Sequence, residues 1–532
     1  MKNPNGINRI KFLEILALAV GCIIIIPIVT IVSYTFSQES FVLPAAFSHY
    51  LTSTLKLVFY TCSISIILAV LPAWIISFYE IRFKSLLDTL LILPLSIPGY
   101  IMAYTYADIF GYGGVFDVFF QSYLKSSLTI DVLEIHWLSF FLALSLFPYV
   151  YTTARISFSI IANSYLNLSQ SLTLSKFKTF FKIILPLSIS GIFAGTLLVI
   201  MEVLNEYGAV KYFGIKTFSV GIFKYWFSMS DKSSAIVLSL ILLVVVILLV
   251  IISNFIKNNH QKIKQHTKTV PFYYSLKKKH FLKKILIFVL LTFPITFGLL
   301  IPLSFILKNV IINFNNYDWN ELLKVLTNTL TLALGSSLII TIISFFILSI
   351  KRNNNSISLK MITNFLCSGY AIPGAVIGLS VMLLFQQTSL NLNFLMGTIT
   401  ILIYAYIFRF IAVSIFPLES NYKQLPLRFD ELGKSLNLSL REIFIKINLP
   451  LSIKAIMYSF LIVFIDVFKE LPLTLILRPF NFETLATQAY QYANEEMLAY
   501  SSIYSMCIIL VCSFLIIISN LFLKNKKNVP RY

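Results

Sequence analysis

LSQSLTLSKFKTFFKIILPLSISGI, Leu168 to Ile192, comes back later in the chain as LGKSLNLSLREIFIKINLPLSIKAI, Leu432 to Ile456. Aligned without a gap, 14 of the 25 positions are identical, and self-similarity of this kind constrains a fold before any local reading does. In both copies a short helix ends near Thr173 or Asn437. Ser175 and Ser439 then stand where an N-cap is wanted, and Ser439 with Glu442 makes a capping box. Phe180 and Lys182 are matched by Phe444 and Lys446. Leu185-Pro186 and Leu449-Pro450 then open an apolar run, where proline is tolerated in the first turn of a helix. The pattern predicts a helix–break–helix elbow on a water-facing loop, built twice.

The rest of the chain is overwhelmingly apolar. Of 532 residues 58% are hydrophobic and only 12% charged, with a mean hydropathy of +0.85. That composition excludes a soluble protein of this size and predicts an all-α integral membrane protein. Apolar runs long enough to span a bilayer begin at about 13–36 and recur near 52–79, 86–109, 137–163, 186–204 and 233–256. After a polar gap they resume near 281–307, 325–350, 361–386, 393–417, 450–475 and 498–523, about twelve spans in all. The first run is too long for a signal peptide and reads as a retained helix. Pro94 and Pro98 interrupt the third span and Pro373 the ninth, so kinks or unwound stretches are expected there. The five cysteines all lie in apolar runs without zinc-like spacing, which argues against a disulfide framework or a structural metal.

Charge orients these spans. Lys257 to Lys284 holds nine lysines and no acid, and the N-terminus and tail are also basic. With an even span count these regions, Arg82, Lys84, Lys351, Arg352 and both elbows share one side, which the positive-inside rule makes the cytoplasm. Both termini are then cytoplasmic, and the +20 net charge reflects topology and anionic lipid rather than nucleic acid.

The duplication reaches beyond the elbow. Leu51 to Leu55 resembles Leu326 to Leu330, and Ile97-Pro98-Gly99 matches Ile372-Pro373-Gly374. The first half carries about eleven extra residues between this tripeptide and its elbow, expected in the loop Gly111 to Ile135. The chain therefore divides into a first membrane domain, 1–256, a basic linker, 257–284, and a second membrane domain, 285–532, in parallel orientation.

The elbow resembles the EAA loop of ABC importer permeases, whose pattern ends in I-x-L-P. Ile183, Leu185 and Pro186 match that ending, as do Ile447, Leu449 and Pro450, and Glu431 matches the opening glutamate. Asn167 replaces that glutamate in the first copy, and Thr173 and Asn437 stand where the family has glycine. Because asparagine visits left-handed geometry more readily than threonine, the first copy is expected to be the less regular. Lys469 to Glu496, with its KELP, LRP and TLA words, is similar to ferric-iron permeases, as is the stretch from Glu206 to Phe227. The resemblance implies two fused six-helix, MetI-like importer repeats in a bacterial inner membrane. It implies that Ser171, Leu172, Thr173, Leu174 and Ser175 in one copy, and Glu431, Ser435, Leu436, Asn437, Leu438 and Ser439 in the other, couple to a cytoplasmic ATPase dimer. It also implies an extracytoplasmic substrate-binding protein, with Fe(III) as cargo and thiamine, polyamine or phosphonate as alternatives.

No cofactor is expected on this chain, because it has no GxxxxGK[ST]; Gly433-Lys434-Ser435 lacks the leading glycine, Arg428 standing in its place. ATP and magnesium belong on the partner, and no nucleophile–base constellation marks the chain as an enzyme. The candidate translocation path holds Glu202 and Glu206, matched by Asp466 and Glu470. A spacing of four puts each pair on one helix face, roughly 24–30 Å beyond Pro186 or Pro450. Acids within a membrane face the protein interior. Four of them about a twofold axis would suit a hard cation such as Fe(III); alternatively they bond broken backbone or pair with Lys211, Lys469 or Arg478. A secondary transporter would instead need an ionisable relay at the span centres, which hold few acids or histidines.

Overall fold

The computed structural model describes residues 4–37, 43–124, 131–161, 165, 169, 171–260, 281–353, 356–387, 392–426, 428–436 and 438–525. Asn437 and most of the basic linker, 261–280, lie outside the described residues. The chain is all-helical. In the first half α1 (Pro4–Ser37), α2 (Phe47–Phe78), α3 (Lys84–Leu90), α4 (Gly99–Phe110), α5 (Val115–Leu124) and α6 (Ile135–Ile160) lead to α7 (Lys176–Asn205). Two short helices, α8 (Gly208–Tyr212) and α9 (Phe218–Phe223), precede α10 (Lys232–His260). The second half repeats the order with α11 (Lys284–Ile312), α12 (Trp319–Asn353), α13 (Ile357–Leu366), α14 (Gly374–Gln387), α15 (Ile399–Gln424), α16 (Arg428–Ser435) and α17 (Arg441–Phe468). It closes with α18 (Pro472–Leu477), α19 (Leu485–Asn494) and α20 (Leu498–Asn525).

Among the described residues ten helices are long and apolar enough to cross a membrane, and two bent pairs, each counted as one span, bring the number to twelve. The bent pairs are the third and ninth spans, and the bends are sharper than kinks: 89° between Lys84–Ser96 and Gly99–Ser122, 116° between Ile357–Ala371 and Gly374–Gln386. Both break at the repeated Ile-Pro-Gly. A residue before proline is pushed out of helical geometry, and Ile97 (ψ 108°) and Ile372 (ψ 125°) are extended. Pro94, by contrast, opens the short 3-10 turn Leu93–Ser96 and does not itself break the span.

One expected boundary moves inward, and the expected loop Gly111 to Ile135 holds a helix. The eleventh span stops at Phe468 rather than near 475. The extra residues of the first half include helix α5, where the described residues of the second half hold the turn Leu392–Leu395.

The two halves interlock. Helix α1 packs on α13 and α14 of the second half, and α11 packs on α2 and α4 of the first. Helix α20 lies against the first bend and α10 against α14. Within each half a central hairpin, α2 with α6 and α12 with α15, supports the helix that follows the elbow. An ion pair stands beside each hairpin, with the polarity exchanged. In the first half Arg155 Nη1 reaches Asp88 at 2.6 Å and the Tyr151 hydroxyl donates to the same carboxylate at 2.8 Å. In the second half Glu419 occupies the position of Arg155, and Lys351 supplies the cation at 3.1 Å while bonding Thr363, the counterpart of Asp88.

Candidate functional site

The elbows share one backbone plan. Leu174 N–H bonds the Ser169 carbonyl at 3.0 Å, and Leu438 N–H bonds that of Gly433 at 3.0 Å. This is the six-to-one bond that closes a helix through a left-handed residue. Thr173 is that residue in the first copy, with φ +50°, so threonine adopts the geometry expected of glycine and the first elbow closes with the same bond as the second. Ser175 then caps the next turn by accepting from Lys178 N–H at 3.3 Å. In the second copy Ser439 and Glu442 form the full reciprocal box: Glu442 Oε2 accepts from Ser439 N–H at 2.9 Å while Ser439 Oγ accepts from Glu442 N–H at 3.3 Å.

No break separates the second arm from the membrane helix. A π-turn, Phe180–Ile184 or Phe444–Asn448, carries each arm straight into the apolar run. Proline explains it: the ring clashes with the carbonyl four residues back, and a wider turn before Pro186 and Pro450 makes room. The same turn, Thr296–Leu300, precedes Pro302. Each arm is thus one lever with its membrane helix.

Apolar groups stand outward at matching positions. Leu172 is 59% exposed and Leu436 72%, while Leu174 and Leu438 are half-buried. Ser171, Ser435 and Glu431 are also exposed.

Both elbows rest on aromatic packing, Phe444 lying 5.1 Å from Phe345 in the second, and they differ in what is added to it. In the first, Phe180 lies 4.7 Å from Trp74, and Lys176 stands over the Tyr79 ring at 5.2 Å. The second is clamped by Arg352 at the end of α12. Its Nε meets Asp430 at 2.6 Å, and its remaining nitrogens donate to the carbonyls of Tyr422, Leu425 and Pro426.

All four path acids line a single cavity between the halves, with Gly99, Tyr100, Tyr149, Asn205, Tyr370, Arg409 and Lys469 also on its wall. The outer pair is engaged by backbone. Glu206 accepts from Ala209 N–H at 3.1 Å, and Glu470 from Leu473 N–H and Thr474 N–H, each at 3.0 Å. A methyl added to Gly99 would stand 2.8 Å from Glu206 Oε2, and one on Gly374 would stand 3.1 Å from Glu470 Oε1. Each carboxylate therefore sits between two helix N-termini, whose free N–H groups favour negative charge. The repeated tripeptide and the repeated acids are two sides of one contact.

The inner pair is held by side chains. Tyr370 donates to Glu202 at 2.6 Å, and Lys469 lies 3.6 Å from Asp466. Asn205 accepts from Gly374 N–H and from Arg409 Nη1, both at 2.8 Å. One turn of α7 in the first half thus ties to the bend and to α15 of the second. Arg478 pairs with Glu483 rather than with the path acids. Among the described residues no group of three or more His, Cys, Asp or Glu is placed to hold a metal.

Tyr370, Asn205 and Arg409 were not singled out by the sequence. Arg409 carried a usable signal, since it is the single charged residue between Ile399 and Leu418, and a charge inside a membrane span marks a functional position.

A duplicated helical membrane domain with paired elbows and a polar cavity between its halves defines a transporter subunit. Residues 63–262 and again 346–528 match the family described as binding-protein-dependent transport system inner membrane component. The chain belongs to this family, the multi-pass permease subunits of ABC transporters. It is 24% identical over 443 residues to the Fe(3+)-transport system permease protein FbpB 2 of Haemophilus influenzae, covering 82% of this chain and 83% of that one. It is 27% identical over 147 residues to the sulfate transport system permease protein CysT of Salmonella typhimurium, covering 27% of this chain and 50% of the relative. The molybdenum transport system permease protein ModB of Haemophilus influenzae is 29% identical over 147 residues, covering 27% and 62%.

Proposed function

We propose that this chain is the membrane subunit of an ATP-driven importer for Fe(III), delivered by an extracytoplasmic binding protein and driven by a separate cytoplasmic ATPase pair. One observation carries the choice of cargo. Similarity to the iron permease runs through both halves, 82% of the chain, whereas the sulfate and molybdenum permeases match over 27%. The divisions 1–256, 257–284 and 285–532 are the two membrane domains and the linker, with both termini cytoplasmic, as the basic linker and ends favour.

The elbows are the ATPase sockets. Ser171, Leu172, Thr173, Leu174 and Ser175 form one, and Glu431, Ser435, Leu436, Asn437, Leu438 and Ser439 the other. Exposed Leu172 and Leu436 support this reading, as does the unbroken helix joining each elbow to the cavity. Closure of the ATPase pair draws the two levers together, and their far ends, which carry Glu202, Glu206, Asp466 and Glu470, part across the cavity. This is alternating access with the site between two parallel repeats. ATP and magnesium stay on the partner, and this chain carries out no chemical step.

Proteoliposomes holding the complete transporter test the reading. ATP-dependent uptake of Fe(III) from the loaded binding protein, without uptake of sulfate, molybdate, thiamine or polyamines, is expected. Uptake of one of those solutes in place of iron would overturn it.

A further inference from the structure

The charges on the cavity wall balance. Glu206 and Glu470 are met by backbone N–H groups at helix N-termini, which leaves the carboxylates of Glu202 and Asp466 opposite the cations of Lys469 and Arg409. Lys469 holds the central place. Its ammonium lies 3.6 Å from Asp466 of its own half and within electrostatic reach of Tyr149 and Glu202 of the other. Arg409 is within reach of Asp466, and its Nη1 is engaged by Asn205.

The other repeat shows that the fold does not need this ammonium. The offset that pairs Glu202 with Asp466 and Glu206 with Glu470 pairs Asn205 with Lys469. A cation at a helix C-terminus is favoured by the helix dipole, yet α7 ends at Asn205 without one. There a neutral amide makes the crossing between the halves, to Gly374 and Arg409. The charge at position 469 therefore has a task beyond ending a helix or joining the halves.

We propose that Lys469 is a tethered counter-cation that makes the path selective: its ammonium takes the place beside Asp466 and Glu202 that a small inorganic cation would fill, so sodium ions and protons are not carried along with each cycle. The proposal rests on the alternating-access reading and is independent of which solute is the cargo. Alternating access presents the cavity to each side of the membrane in turn. With the ammonium in place, two carboxylates meet two fixed cations and no mobile charge is needed. Without it Asp466 is left unmatched inside the membrane, a costly arrangement, and a sodium ion or a proton entering from the water relieves it. Lys469 and Asp466 stand at one helix end, so their pairing survives when the halves part, and the flexible four-carbon stem of lysine lets the point charge follow its partners.

The other repeat also supplies the variant. Lys469→Asn places at this position the residue type that stands at 205. In proteoliposomes holding the complete transporter, the binding protein and ATP, entry of radioactive sodium and internal acidification are followed beside Fe(III) uptake. Lys469→Asn is expected to admit sodium or protons severalfold faster than the wild type. Lys469→Arg, which keeps the charge, is expected to stay tight, and Lys469→Asn/Asp466→Asn, which removes both charges, to become tight again. Should Lys469→Asn not assemble, Lys469→Met takes its place, filling a similar length of cavity without charge. Entry of both ions at the wild-type rate in the uncharged variant, or an equal leak in Lys469→Arg or the double variant, would overturn the proposal. So would wild-type vesicles that admit sodium as they turn over, whatever the variants do. Iron uptake in the same vesicles reports on the cargo separately: tight variants that still import iron sink only the role of Lys469, and wild-type vesicles without ATP-driven uptake of any solute sink the transport reading with it.

Discussion

Tyr370, at the bend of the second half, donates a 2.6 Å hydrogen bond to Glu202, within the last turn of α7 in the first half. The bond crosses between the two repeats. With the Asn205 contacts to Gly374 and Arg409, it shows that the halves meet through polar groups drawn from one helical turn. A hydrogen bond to a charged partner contributes about 1.5–3 kcal/mol, and leaving its acceptor buried and unpaired is costly. Tyr370→Phe is therefore expected to lower the melting temperature of the purified chain and to raise ATP hydrolysis in the absence of the binding protein. Unchanged values for both would show that the bond does not hold the halves together.

The Arg352 clamp gives a second prediction. Arg352 and Asp430 are each 5% exposed, and the guanidinium also satisfies three carbonyls. Removing one partner of a buried pair costs about 3–5 kcal/mol, and a lysine lacks the planar fork that reaches several acceptors. Arg352→Ala, and to a lesser degree Arg352→Lys, is expected to speed amide hydrogen exchange in 428–448 while leaving 171–184 unchanged. Equal change in both elbows would argue against separate anchoring.

Glycine substitutions form a third, internally controlled test. A methyl on Gly374 would stand 2.6 Å from Arg409 Nη1, whereas one on Gly335 in α12 meets nothing within 4 Å. Gly374→Ala must displace Arg409 from Asn205 and should reduce uptake severalfold. Gly335→Ala removes backbone freedom in mid-helix and should stabilise by about 0.5–1 kcal/mol. Thermal unfolding and uptake measured side by side check both signs.

The caps supply a fourth. Ser439→Ala deletes half of the reciprocal box and is expected to cost about 1 kcal/mol locally, read as faster exchange at Glu442 and its neighbours. The hydroxyl of Ser175 makes a single capping bond, so Ser175→Ala should have the smaller effect.

Much of this architecture is legible in the sequence because it rests on local pattern. Hydropathy places the spans, repetition pairs Leu168–Ile192 with Leu432–Ile456, and Ile-Pro-Gly marks the two bends. The continuity of elbow and membrane helix is not legible in the same way. Pro186 and Pro450 read as helix starts, and it is the preceding π-turn that lets the helix run through them. Contacts between the halves are hidden for a different reason. Tyr370 and Arg409 align with Leu95 and Ser145 in the other repeat, so comparing the repeats removes them from view. Arg352 reads as one more cytoplasmic positive charge, and only the fold turns it inward onto Asp430.

The claim on which the account rests is that both elbows receive force from a separate ATPase. Single cysteines at Leu172 and at Leu436, placed in the assembled transporter and treated with a short bifunctional thiol reagent, test it most directly. Crosslinks from each position to the ATPase, made or lost according to whether ATP is bound, are predicted. Absence of crosslinks from both positions in an assembly that still transports would contradict it.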